Sequence, residues 1–358
     1  MNLTLHLTRS CNMDCTYCTQ EKTAVHMSLA VLHAACELAF SEGIGAGFCF
    51  FGGEPLLCED LIFEAMDFCK LRSEQTGKPV CYKMTTNGTL LSDRMLERAV
   101  REHMEIGLSF DGTAQDICRR YRDGRGTRTD VESAAKRLLA VMPETSAMMT
   151  AAPQAVPVLA DSVRYLYALG FRRIHLVPAY GRCVTWDASA LDALKVQMTE
   201  AAAFYADRLK HGEPFYFSPV ESKIRNLLNG VKCSDRCHLG VSQMPVVPDG
   251  SIYACNQMIG DAEYCLGDVF SGISHEKCAA LAAKQMIPAQ CRRCPLSHRC
   301  LHSCGCLNLL ETGSVSEVSA MQCGYEKMLI HLADATAADL YETARAQFDR
   351  YFRRKGDA

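Results

Sequence analysis

Two hydrophobic periods alternate along the first half of the chain. "LTLHL" (3–7) places apolar residues at every second position and predicts a strand, while "MSLAVLHAACELAFSEG" (27–43) carries them at helical spacing and ends in glycine. "AGFCFF" (46–51) is a continuous apolar run, as expected of a buried strand, and a helix follows near 59–73. The pairing then repeats. Strand "VCYKMTT" (80–86) precedes helix "SDRMLERAVRE" with Ser92 as N-cap, and strand "EIGLSF" (105–110) precedes a helix over about 129–142. Strand "TSAMMTA" leads to helix "VPVLADSVRYLYALG", ending at Gly170, and strand "RRIHLVP" (172–178) to a long helix over about 187–210. Six such units predict a parallel sheet, because parallel neighbours need crossover connections, and closing that sheet gives a full or partial barrel.

Active sites of such barrels gather where the strands end. Cys11 follows the first predicted strand, "GGEP" (Gly52 to Pro55) the second and "TNG" (Thr86 to Gly88) the third. "SFDG" (Ser109 to Gly112) ends the fourth, and Val177-Pro178 the sixth. Their convergence on one rim says more than any one stretch. The periodic pattern stops after about residue 230, and "VVPDGSIYAC" reads as a hairpin turning at Pro248-Asp249-Gly250. We therefore divide the chain into a barrel (1–210), a bridging segment (211–232), a cysteine-rich domain (233–325) and a helical tail (326–358) with a solvated basic end.

Composition narrows the class. Of 358 residues 48% are hydrophobic, enough for a substantial core, and the net charge of -3 gives no footprint for nucleic acid or a membrane surface. The opening "MNLTLHLTRS" lacks a signal-peptide core, and no apolar run of about 18 residues exists to span a bilayer, so a cytoplasmic protein is expected. Cysteine is the anomaly. The 21 cysteines are an odd number in a chain of the wrong size for a disulfide framework, which points to metal or redox chemistry. Eleven lie between Cys233 and Cys323; the seven singles Cys36, Cys49, Cys58, Cys69, Cys81, Cys118 and Cys183 mostly read as small core residues.

Cys11, Cys15 and Cys18 form CxxxCxxC. Alone, this could be half of a zinc site, but structural zinc takes four ligands, whereas three cysteines on a [4Fe–4S] cluster leave one iron open. "CNMDCTYC", with Tyr17 before the last cysteine, resembles the signature of the radical S-adenosylmethionine (SAM) enzymes, and "FFGGEP" and "TTNG" stand at matching later positions. The resemblance implies that the open iron chelates SAM, that the cluster's electron breaks a C–S bond, and that a 5′-deoxyadenosyl radical abstracts hydrogen from the substrate. It also implies that Gly52, Gly53 and Glu54 hold the methionine end, with Ser109 and Asp111 near the ribose and methionine moieties and Asn87 and Tyr17 in the same pocket.

The second half has its own spacing. Twelve residues separate Cys237 from Gly250 and four more lead to Cys255; then come Cys291, Cys294, Cys300, Cys304 and, last, Cys323. This resembles the SPASM extension of peptide- and protein-modifying radical SAM enzymes, where seven cysteines hold two auxiliary [4Fe–4S] clusters. The alternative is a zinc ribbon. The implied class is α/β, a partial (β/α)6 TIM-like barrel with a cysteine-rich SPASM domain and three clusters. Cys291, Cys294, Cys300 and Cys323 would hold the outer auxiliary cluster, and Cys237, Cys255 and Cys304 the inner one. Some relatives place a fourth inner cysteine where this chain has Gln243. Either one iron is open, to take a substrate thiolate, or a thiol such as Cys233 or Cys265 fills the place; small packing residues are the alternative reading of the unassigned Cys233, Cys265, Cys278 and Cys306.

Two reactions compete. "GSIYACNQMIGDAEYCLGDV" resembles thioether-forming peptide maturases around Cys255, Gln257 and Gly260. The compact length resembles anaerobic sulfatase-maturating enzymes, which oxidise Cys or Ser to formylglycine, but Asn256 stands where that family has a general-base aspartate. Asp249, Asp261 or Asp268 could fold nearby to replace it. Epimerisation, carbon–carbon cross-linking and a metal-binding scaffold without turnover are further alternatives. The first strand leaves no room for an N-terminal leader-binding module, so a leader peptide would need a separate partner or another surface. A flavodoxin or ferredoxin is the implied reductant.

Overall fold

The computed structural model describes residues 1–181, 183–230, 239–241, 243–284, 287–300 and 304–352. All six expected units are present. The strands are β1 (Asn2–Thr8), β2 (Ala46–Gly52), β3 (Val80–Thr86), β4 (Glu105–Leu108), β5 (Ser146–Ala151) and β6 (Arg173–Pro178), each parallel to the next. The helices between and after them are α1 (Leu29–Glu42), α2 (Glu59–Thr76), α3 (Asp93–Arg101), a single turn α4 (Gln115–Cys118), α5 (Arg128–Val141), α6 (Leu159–Leu169) and α7 (Ala188–Lys210). Period two explains β1: Leu3, Leu5 and Leu7 are buried with α1 residues such as Val31 and Leu32, while Thr4, His6 and Thr8 occupy the other face. Ser92 caps α3 as expected, its Oγ accepting from the Met95 backbone N–H at 2.9 Å.

The sheet is longer than the sequence pattern implies. A two-residue β7 (Tyr216–Phe217) adds to β6, and α8 (Ser218–Asn229) begins earlier than "SKIRNLLNG", with Pro219 in its first turn. On the other side, β8 (Met244–Val246) pairs parallel to β1, matching Leu3 with Met244 and Leu5 with Val246. β9 (Ser251–Tyr253) returns antiparallel to β8 through the expected turn, where Gly250 takes φ +93°. β10 (Cys265–Asp268) and β11 (Gly272–Ile273) complete one eleven-stranded sheet in the order β11-β10-β9-β8-β1-β2-β3-β4-β5-β6-β7. The cysteine-rich half is thus joined to the barrel by backbone hydrogen bonds at its first strand.

Helices α9 (His275–Lys284), α10 (Gly305–Thr312), α11 (Ala320–Thr343) and α12 (Arg345–Phe352) follow, and α11 packs against α7 and α8. Phe348 and Phe352 are buried, so α12 docks rather than standing free; the rest of the basic end lies outside the described residues. Among the single cysteines, Cys36, Cys58, Cys69 and Cys118 are buried and Cys49 is half-buried, but Cys81 and Cys183 are exposed. No helix among the described residues is long and apolar enough to cross a membrane.

Candidate active site

The loop after β1 carries Cys11, Cys15 and Cys18, all half-buried. Backbone bonds pin it from several sides: Arg9 N–H to Val25 O (3.0 Å), Asp14 N–H to Arg120 O (2.8 Å) and Thr16 N–H to Cys118 O (2.9 Å). The end of β2 packs directly on this loop, with Gly53 N–H on Thr8 O and Glu54 N–H on Ser10 O, both at 2.9 Å. That approach requires the two glycines: a Cβ on Gly52 would stand 2.4 Å from Thr8 O, and one on Gly53 2.0 Å from Ser10 O. Burial pushes the Cys11 thiol up to about 11 and raises Cys15 as well, so metal binding must release protons here.

Glu54 is 1% exposed. Its Oε1 accepts from Thr86 Oγ1 (2.6 Å) and Leu56 N–H (3.1 Å), and its Oε2 from Asn87 N–H (2.8 Å). Desolvation outweighs these bonds and pushes the carboxyl up to about 7. Asn87 ties the third rim stretch to the cysteine loop, its Nδ2 donating to Asn12 Oδ1 at 2.9 Å. Ser109 is half-buried, with its N–H on Thr86 O at 2.8 Å. Asp111 is buried and holds Arg119 through two bonds (2.7 and 3.2 Å), accepts from Tyr17 OH at 3.0 Å and from Thr150 N–H at 2.8 Å. The Arg119 guanidinium also faces the Tyr17 ring, 5.4 Å from its centroid. Asn12 and Arg119 escaped the sequence reading: neither belongs to a periodic pattern, although Asn12 lies inside the cysteine motif.

In the second half, Cys291, Cys294, Cys300 and Cys323 line one cavity of about 20 Å³ together with Val318 and Ile330. The segment bearing these cysteines is clamped from the barrel side. Lys223 of α8 is buried against Glu326 of α11 (2.6 Å), while Arg299 reaches Lys223 O (3.3 Å) and the Asp334 carboxylate (2.6 and 2.9 Å). Cys304 is the N-cap of α10, and its Sγ stands 3.6 Å from Cys306 Sγ. The Cys306 thiol also hydrogen-bonds Cys255 and holds that thiol below its ordinary pKa. Cys265 sits in β10, with its thiol on Gly267 O at 3.6 Å. Cys233 and Cys237 lie outside the described residues.

Between the two halves, Asn256 Oδ1 meets His6 Nε2 at 2.9 Å. His6 is 2% exposed, and burial lowers its pKa to about 4, so the imidazole is neutral. Just after Cys18, Thr19 Oγ1 donates to Gln257 Oε1 at 3.0 Å and Gln20 Nε2 to Asn256 O at 3.4 Å. None of the three aspartates that could replace a base turns inward: Asp249 accepts from Ser251 N–H, Asp261 from Glu263 N–H, and Asp268 from Phe270 and Ser271 N–H, each capping its own surface turn. The only mark of His6 in the sequence is its polar place in the alternation of β1.

The donor set suits the implied groups. Three thiols on one loop fit a cluster with one open iron, and a buried carboxyl beside them on glycine-rich backbone fits an amine-bearing ligand such as SAM. Among the described residues, no three Cys, His, Asp or Glu side chains converge on a position for one metal ion.

Residues 5–154 match the Radical SAM superfamily. An uncharacterised protein of Methanocaldococcus jannaschii is 27% identical over 175 residues, covering 48% of this chain and 60% of that relative's length. The cysteine-type anaerobic sulfatase-maturating enzyme of Clostridium perfringens is 22% identical over 323 residues, covering 79% of this chain and 86% of its own. The fold superposes on anSMEcpe with bound AdoMet and Kp18Cys peptide at a TM-score of 0.78, with 17% identity and 98% of each chain covered. The motif loop and its glycine-backed rim lie inside the matched stretch, which identifies residues 5–154 as a radical SAM domain.

Proposed function

We propose that the protein carries three [4Fe–4S] clusters and modifies a cysteine-containing peptide, joining the cysteine sulfur to a substrate carbon as a thioether. Cys11, Cys15 and Cys18 would hold the SAM-binding cluster, Cys291, Cys294, Cys300 and Cys323 the outer auxiliary cluster, and Cys237, Cys255 and Cys304 ligands of the inner one. Gly52, Gly53, Glu54, Asn87, Ser109, Asp111 and Tyr17 would shape the SAM pocket. When bound, the first cluster and SAM supply a 5′-deoxyadenosyl radical that takes hydrogen from the peptide.

The observation that carries the choice of a cysteine over a serine substrate is the His6–Asn256 pair. Where formylglycine chemistry on a hydroxyl calls for a carboxylate, this chain has an amide bonded to a neutral imidazole. A serine hydroxyl would find no strong acceptor there, whereas a cysteine thiol, with an ordinary pKa of about 8.5, supplies thiolate unaided. The chain's own residues bind, orient and exclude water: Thr19 and Gln20 tie the cysteine loop to the segment after Cys255, and Glu54 is sealed beneath it. A flavodoxin or ferredoxin would deliver the electrons.

Oxidation of cysteine to formylglycine is the second reading, favoured by likeness to the sulfatase-maturating enzymes along most of the chain. Product mass separates the two. After anaerobic turnover of pooled cysteine peptides, a thioether loses two hydrogens, keeps its sulfur and resists alkylation, whereas formylglycine loses two hydrogens and also exchanges sulfur for oxygen. Finding formylglycine, or equal turnover of the serine counterparts, would overturn the thioether assignment.

A further inference from the structure

We propose that Cys306 ligates the inner auxiliary cluster beside Cys255 and Cys304. The inference rests on the reading that the second half holds auxiliary clusters, and it concerns a thiol that the SPASM spacing leaves unassigned. Three observations carry it. The position where some relatives have a fourth inner cysteine is Gln243, which is exposed, has φ +56° and uses its carbonyl to accept from Thr4 Oγ1 at 3.4 Å. Cys265 is turned toward Gly267 O. Cys306, by contrast, stands 3.6 Å from Cys304 and hydrogen-bonds Cys255, so its thiol touches both thiols assigned to the inner cluster, from two distant segments.

Residues i and i+2 of a helix do not face each other. Cys304 and Cys306 meet because Cys304 is the N-cap, with φ -72° and ψ 91°, outside the helical conformation. The helix beneath them is fixed: buried Asn308 donates from Nδ2 to Val315 O at 3.1 Å and from its N–H to Cys304 O at 3.0 Å. The turn Asn256–Met258 packs on α10 from the Cys255 side. A cluster holds its thiolates farther apart than 3.6 Å, and a χ1 rotation of half-buried Cys306 opens that gap without moving the backbone. With Cys306 bound, an iron that would otherwise face the substrate carries a protein thiolate, and the inner cluster serves as an electron acceptor rather than a thiol-binding site.

The test uses iron-57 reconstitution of the full chain, with C306S and C265S beside it. About twelve irons per wild-type chain are expected. C306S should lose about four of them or show one iron with oxygen ligation in its Mössbauer spectrum, while C265S matches wild type. Cys306 should resist iodoacetamide in reconstituted wild type and react in the iron-free chain, a readout that stands even if C306S fails to fold. Rapid alkylation of Cys306 in a twelve-iron wild-type protein, or an unchanged spectrum in C306S, overturns the proposal alone. About four irons in wild type overturns the auxiliary-cluster reading and this proposal with it.

Discussion

At Gly53 the chain comes closest to itself: a methyl there would collide with Ser10 O, which belongs to the cysteine loop rather than to a movable side chain. We expect G53A to cost about 2–3 kcal/mol and to lower iron at the first cluster while leaving the other two loaded, read by iron analysis and thermal unfolding. Glu54 makes a different prediction. Its carboxyl is raised from 4.5 to about 7, so the folded, metal-free chain binds a proton that the unfolded chain has released. Stability of the metal-free protein should therefore fall as pH rises from 4.5 to about 7, and E54Q should flatten that slope in urea titrations. Asn256 tests the chemistry: N256D should bring serine peptides within reach, raising their turnover about 10²-fold if the new carboxylate serves as base. At this scale the motifs were legible because cysteine, glycine and glutamate have few substitutes in their roles. Asn12 and Cys306 were not, because their partners (Asn87 and Cys255) are distant in sequence, and Arg119 was not, because no periodic pattern marks its pairing with nearby Asp111.

Among elements, α8 and α11 are joined where a charge pair is most costly to break. Lys223 and Glu326 are both nearly inaccessible, and Lys223 also reaches Arg299 O beside Cys300. E326Q leaves a buried ammonium without its counter-charge, and a loss of about 3–5 kcal/mol is expected in denaturant unfolding. The outer cluster should become labile to chelators before the first cluster does. The strand–helix alternation of the barrel could be read from periodicity because each unit spans many residues and one face is buried throughout. β7 and β8 could not: two and three residues hold no period, and β8 is recruited by its pairing with β1 rather than by its own pattern. The hairpin after β8 was visible because Pro248-Asp249-Gly250 announces a turn chemically.

Across the whole molecule, one sheet carries the radical SAM rim at one end of its parallel strands and the cysteine-rich half beyond β8. The two functions should separate by mutation: replacing Cys11, Cys15 and Cys18 with alanine should abolish SAM cleavage while the auxiliary iron remains. The central claim is that the radical acts on a carbon other than the cysteine β-carbon. It is tested most directly by following deuterium into 5′-deoxyadenosine from two versions of one processed peptide, one labelled only at the cysteine β-carbon and one labelled everywhere else. The account predicts label in 5′-deoxyadenosine from the second peptide alone. Label from the cysteine β-carbon would contradict it and assign the protein to cysteine oxidation.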